Sequence, residues 1–173
     1  NSKLVNVDAE YREIWNLVFI QYNRDSNGNL NDLPEKHVDT GMGLERIVSI
    51  LNGKKSNYDT DLFIPIINKI TELSGIKYSS KQGVAHRVIS DHIRMLAFSI
   101  ADGAMPGNEG RGYVLRRVLR RAVRYGRTIN LMKPFLFELI PILTNIMGKS
   151  YPELKEKQSH IKKVIFIEEK SFL

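Results

Sequence analysis

Residues 111–127 read RGYVLRRVLRRAVRYGR, seven arginines in seventeen positions with no lysine or acidic residue among them. At about 100° per residue, Arg116, Arg117, Arg120, Arg121 and Arg124 share one arc. Val114, Leu115, Val118, Leu119, Ala122 and Val123 fill the other. That division predicts an amphipathic helix with one face in a core and a wall of guanidinium on the other. Guanidinium forks match phosphate and carboxylate oxygens bidentately and tolerate partial burial better than ammonium groups. The run holds no glutamate at i, i+4 spacing, so the wall is expected to be unpaired and directed at phosphate.

The neighbouring segments extend the helical reading. Leu44 to Leu51 stops at Asn52-Gly53, and Asp59-Thr60 starts a helix through Leu73 that Ser74-Gly75 ends. A third helix runs from about Val84 to Ala101, the arginine helix from about Arg111 to Arg124, and another from Phe135 to Ile146. Pro152 opens a last one. Before them, IWNLVFIQY at 14–22 is an almost unbroken apolar run of strand-forming residues, predicting a strand buried on both faces. SNGN at 26–29 is a turn, and a second strand around His37, Val38 and Asp39 returns antiparallel. The expected fold is mainly α with α+β character, a strand pair followed by a bundle of about six helices. A two-stranded hairpin is marginal in water, and a strand with two apolar faces needs sheet neighbours that this sequence does not supply. The chain therefore reads as an excerpt, beginning inside a larger antiparallel domain and ending mid-helix at IEEKSFL.

Lys plus Arg total 26 against 19 Asp plus Glu, a formal charge of +7, which favours a polyanionic partner. No apolar run approaches the roughly 18 residues of a membrane span. The first ten residues do not resemble a signal peptide. Without cysteine there is no disulfide framework or thiolate zinc site, in keeping with a reducing cytoplasm. His37, His86, His92 and His160 lack zinc-binding spacing and read as structural or surface residues.

HVDTGMGLERI, at 37–47, is the second informative stretch. A strand ends, two glycines one residue apart turn the backbone, and a helix begins with Glu45 and Arg46 in its first turn. Glycines at such a junction let a ligand approach the main chain, and amide donors at a helix start favour an anion. Asp39 before the turn suits an ammonium or hydroxyl group, and Arg46 after it suits a phosphate.

EIWNLVFIQYNR at 13–24, LPEKHVDTGMGLERI at 33–47, SNYDTDLF at 56–63, and RVISDHIR with ADGAMPGNEGRGYVLRRVLRRAVRYGR between 87 and 127 together resemble the alanyl-tRNA synthetases, in order along nearly the whole chain. The resemblance implies a class II ligase with its active site on an antiparallel sheet. Residues 1–53 would form the C-terminal part of the catalytic domain, with the third class-defining motif at 41–46. Residues 54–173 would form the helical domain that grips the tRNA acceptor stem, truncated at its C-terminus. By the same resemblance, Asp39 holds the α-ammonium of alanine, and Asn16, Val18 and Gly41 line the small amino-acid pocket. Gly43 and Arg46 meet ATP, which enters with Mg2+. Asn108 reads a G·U wobble pair, with Arg111, Arg116, Arg117, Arg120, Arg121 and Arg124 on the tRNA.

The first two class motifs, the second wobble-reading residue, the zinc-bearing editing domain and the oligomerisation region of the family match nothing here, so the chain alone is expected to be inactive. A non-enzymatic RNA-binding helical module is the alternative. Asp39 and Arg46 favour the ligase, because a pure binding module has no use for an ammonium site beside a phosphate site.

Overall fold

The computed structural model describes Val7 and residues 11–173. The chain divides into two compact units, Asn1–Asn57 and Tyr58–Leu173.

In the first unit, strands β1 (Trp15–Arg24) and β2 (Leu30–Met42) form an antiparallel ribbon that leads into helix α1 (Leu44–Leu51). Asp25 shapes the turn between the strands. Its carboxylate accepts the backbone N–H groups of Asn27 and Asn29, each at 2.9 Å, and the Asn29 side-chain amide at 3.0 Å. The side-chain and backbone donors of Asn29 hold the Asp25 carboxyl below its ordinary value. Gly28 takes φ +89°, open to glycine at no steric cost. The register runs evenly from Trp15↔Met42 to Ile20↔His37, then slips to Tyr22↔Asp32. The extra residues of β2 at this irregularity include Pro34, which has no N–H to give a ladder.

Both strands are longer than the sequence suggests, and the expected burial of β1 is not observed. Every residue from Trp15 to Arg24 is exposed, so neither face is covered, with Trp15 at 56% and Phe19 at 70%. Among the described residues, β1 pairs only with β2, so nothing covers the apolar surface that its composition advertises.

The second unit is helical: α2 (Ile64–Ser74), α3 (Val84–Ala101), α4 (Gly110–Arg127), α5 (Ile140–Met147), α6 (Pro152–Glu156) and α7 (Gln158–Phe172). On α3, Ile89, Ile93, Leu96 and Ile100 recur at steps of four and three and are fully buried. They pack with Ile66 and Ile70 of α2, Leu115 and Leu119 of α4, Leu143 of α5 and Ile161 and Ile165 of α7 in one core.

Three boundaries depart from the sequence reading. Helix α2 starts at Ile64, after a 3-10 turn at Asn57–Asp59, because Thr60 first closes bonds from the N–H groups of Phe63 and Ile64 and Pro65 then fits a first turn that needs no donor. Residues Leu136–Leu139 form a 3-10 turn ahead of α5. The expected last helix breaks at Lys157, whose Nζ donates to the Ala101 carbonyl at 2.6 Å. A cation there meets the electronegative C-terminal end of α3. With that break, the described residues hold seven α-helices rather than about six.

Candidate functional site

Directly opposed residues of an antiparallel pair send their side chains to the same face, and the face alternates along each strand. Asn16 pairs with Gly41 and Val18 with Asp39. These four residues thus occupy one face of the ribbon as two adjacent cross-strand pairs. The other face carries Trp15, Leu17, Phe19, Val38, Thr40 and Met42, with a hydrogen bond from Trp15 Nε1 to Thr40 Oγ1. A β-carbon built at Gly41 meets nothing within 4 Å, and its φ is not in the left-handed region. Backbone strain therefore does not demand glycine at 41, and what its missing side chain leaves is open space beside Asn16, Val18 and Asp39.

At the end of β2, Gly43 donates its N–H to the Ile14 carbonyl at 3.2 Å and accepts from Ile47 at 3.0 Å, joining strand to helix. Arg46 folds back over this junction. Its Cδ lies 3.3 Å from the point where a β-carbon on Gly43 would stand, and Nη1 donates to the Glu13 backbone carbonyl. One edge of the guanidinium is thereby anchored, which pre-orients a fork with five donors.

In the second unit the guanidinium wall is split, which corrects the expectation of an unpaired face. Arg116 and Arg120 turn to α7, where Glu168 receives both. Arg116 Nε stands 2.8 Å from Glu168 Oε1, Arg116 Nη2 donates to Oε2 at 3.2 Å, and Arg120 Nη2 reaches Oε1 at 3.4 Å. Phe172, one turn beyond Glu168, lies under the guanidinium groups of Arg120, Arg124 and Arg127, with centroid distances of 5.0, 5.8 and 6.0 Å. Arg117 and Arg121 project the other way, into a groove between α3 and α4 lined also by His92, Val114 and Val118. Both stay exposed, as does Arg111. Of the apolar face, Leu115, Leu119, Ala122 and Val123 are buried, while Val114 remains half-exposed in the groove.

Asn108 sits in the exposed turn before α4, and its Oδ1 accepts Arg116 Nη1. The turn is held against the helix at Gly112, whose carbonyl accepts the Gly107 N–H at 3.0 Å. Sequence reasoning missed Glu168, Phe172 and Gly112 as parts of this site. The acidic pair Glu168-Glu169, embedded in a basic and apolar C-terminal segment, was the available signal for the first.

His86 Nε2 lies 3.0 Å from the Ile76 carbonyl, and burial lowers its pKa. Among the described residues, no group of three or more His, Cys, Asp or Glu side chains could hold a metal ion, and no helix is long and apolar enough to cross a membrane.

The model of the family "tRNA synthetases class II (A)" matches residues 1–173. The chain belongs to the class II (A) tRNA synthetases. This synthetase chain is 54% identical to an alanine–tRNA ligase of Chlorobaculum tepidum over 175 residues, covering 98% of the chain and 20% of the relative. Against the alanine–tRNA ligase of Bacillus subtilis it is 53% identical over 164 residues, covering 94% of the chain and 19% of the relative. It thus spans about a fifth of the length of the curated relatives it matches.

Proposed function

We propose that this chain is part of an alanine–tRNA ligase, in which the strand ribbon contributes to the alanine and ATP pocket and the helical unit binds the tRNA acceptor stem. The observation that carries the reading is the 54% identity to an alanine–tRNA ligase across 98% of the chain. The face shared by Asn16, Val18, Asp39 and Gly41 supports it chemically. Asp39 offers a carboxylate to the substrate ammonium, Asn16 an amide, and Val18 beside the open space at Gly41 an apolar niche that suits a methyl group.

In the proposed reaction an oxygen of the alanine carboxylate attacks the α-phosphorus of ATP, pyrophosphate leaves, and alanyl-adenylate results. The alanyl group then passes to a hydroxyl of the tRNA with release of AMP. ATP enters as its magnesium complex, a substrate rather than a resident cofactor. Gly43 keeps the junction open where Arg46, already anchored at Glu13, directs its remaining donors to phosphate oxygens. In the helical unit, Asn108 faces the wobble pair of the stem while Arg111, Arg117, Arg121 and Arg124 supply phosphate contacts. Arg116 and Arg120, tied to Glu168, act at the edge of that surface rather than as free phosphate ligands. The full protein is assigned to the cytoplasm, with translation.

Amino-acid-dependent pyrophosphate exchange tests the reading. The full-length protein is expected to exchange with alanine in preference to glycine and serine, and the 173-residue chain alone not to exchange. A full-length protein that prefers another amino acid would overturn the assignment.

A further inference from the structure

Asn108 is exposed, but its amide is not free to turn. Arginine has donors and no acceptor, so the end of the amide facing Arg116 must be the oxygen. Arg116 itself is fixed from behind. Its Nε and Nη2 edge lies against the two oxygens of Glu168, at 2.8 and 3.2 Å, with Arg116 24% and Glu168 10% exposed in their side chains. A planar fork held on one edge by the Nη2 hydrogen bond and the ion pair beside Nε has its remaining Nη1 aimed in one direction, and that nitrogen meets Asn108 Oδ1. Glu168 also lines, with Met105, Pro106, Val164 and Ile167, the crevice where α7 meets the Asn108 turn. The carboxylate and the turn therefore share one wall.

We infer that Glu168, acting through Arg116, positions Asn108 so that its amide nitrogen is presented to the RNA as a hydrogen-bond donor. The acceptor it fits is a pyrimidine O2, a purine N3 or a ribose 2′-hydroxyl in the shallow groove of an A-form stem. Glu168 is a positioning residue: it touches no substrate, and its effect reaches the RNA only through Arg116 and Asn108. The inference rests on the reading of Asn108 as the wobble-pair contact.

The test uses the full-length enzyme and two acceptor-stem substrates, one with a G·U pair and one with G·C, comparing their kcat/KM. Glu168→Gln removes the charge of the ion pair and can place an amide N–H against the guanidinium, loosening the hold on Arg116. It is expected to cut the preference for the G·U stem about tenfold, the scale of one base contact. Combining it with Asn108→Ala should lower the preference no further than Asn108→Ala alone. Arg116→Lys keeps a cation against Glu168, preserving the ion pair, but an ammonium cannot bridge carboxylate and amide as a fork does, so the same loss is expected. Asn108→Asp presents an acceptor where a donor is needed and should also lose the preference. If Asn108→Ala keeps the full preference, the reading of the site falls and the positioning role with it. If Asn108→Ala loses the preference while Glu168→Gln and Arg116→Lys keep it, or lower charging of both stems equally, Glu168 is a structural residue only and the inference alone is overturned.

Discussion

Gly112 and Met105 approach so closely that a β-carbon on the glycine would stand 2.7 Å from the Met105 carbonyl oxygen. The same atom would stand 3.0 Å from the Gly107 nitrogen, which donates to the Gly112 carbonyl. All of these neighbours are backbone, so none can swing aside. In a helix, glycine to alanine normally stabilises by up to about 1 kcal/mol. Gly112→Ala is expected instead to destabilise the helical unit by roughly 1–3 kcal/mol, the usual range for overpacking, and to displace the turn that carries Asn108. Urea denaturation measures it, and a variant as stable as the parent would show that the turn yields at little cost.

Glu169 is fully buried on α7 and accepts the backbone N–H groups of Phe135 and Leu136, each at 3.0 Å. Those two donors stand where the chain enters the 3-10 turn ahead of α5, so the carboxylate caps that entry from 34 residues away. Burial pushes the carboxyl up to about 7, with the charge of Glu138 adding to the rise and the two N–H donors opposing it. In the unfolded chain the group ionises near 4.5. Between these values folding takes up a proton, so stability falls as pH rises from about 4.5 to 7, by up to roughly 3 kcal/mol, and levels off above. Glu169→Gln should remove that slope and cost about 1–3 kcal/mol at pH 5, because one of the two N–H groups loses its acceptor. Urea midpoints of both proteins at pH 5 and pH 8 decide it. A variant that keeps the parent's difference between the two pH values would place the titration elsewhere.

Glu168 and Glu169 differ from the locally encoded parts of the fold in the distance over which they act. Helices α3 and α4 and the Asp25 turn are legible because their determinants lie within one or two turns: apolar residues at three and four, a guanidinium arc, Asx and Gly chemistry. Glu168 and Glu169 act over 52 and 34 residues, and the local sequence marks them only as an acidic pair, without naming the partners they reach. Lys157, where the last helix breaks, likewise reaches back 56 residues to Ala101. The exposure of β1 has a different reason. An apolar run records the covering a strand is selected for, and among the described residues that covering is not supplied. Asp39 stands out from the junction itself, Asn16, Val18 and Gly41 come from family resemblance, and the common face of all four follows from a register that periodicity alone does not set.

The open space at Gly41 separates a requirement of the fold from one of the ligand. An added methyl there meets no protein atom, and glycine within a strand is itself slightly unfavourable, so Gly41→Ala should leave the stability of the chain unchanged or raise it by under about 1 kcal/mol. In the full-length enzyme the same methyl would occupy the proposed alanine niche, raising KM for alanine with little effect on KM for ATP. Equal alanine kinetics in variant and parent would move the pocket off this face.

Asp39→Ala and Arg46→Ala should divide the two substrates. Removing the carboxylate leaves a desolvated ammonium without its partner, a loss of roughly 2–5 kcal/mol in alanine activation. Arg46→Ala should act mainly on the ATP-dependent terms. Pyrophosphate exchange at varied alanine and ATP measures both, and equal rises of the two Michaelis constants in both variants would contradict the separate roles.

The split of the guanidinium wall predicts a split in salt dependence. Arg117 and Arg121 are exposed beside the His92 groove and carry no ion pair among the described residues, so replacing either with Gln should remove a phosphate contact. Binding to any acceptor-stem RNA should weaken about uniformly, and the slope of log K against log salt should flatten by roughly one unit or less per contact. Arg120→Gln should leave most of that slope and appear instead as lost stability, because its charge is spent on Glu168 and its plane on Phe172. Asn108→Ala should leave the slope alone and cost on the order of 1–3 kcal/mol of discrimination between G·U and G·C stems. Binding of both stems at two salt concentrations, in the full-length protein, reads all four variants. An Arg120 variant with the same flattening as Arg121 would show that the Glu168 pair opens on the RNA, and an Arg121 variant that changed preference rather than affinity would reverse the roles of grip and reading.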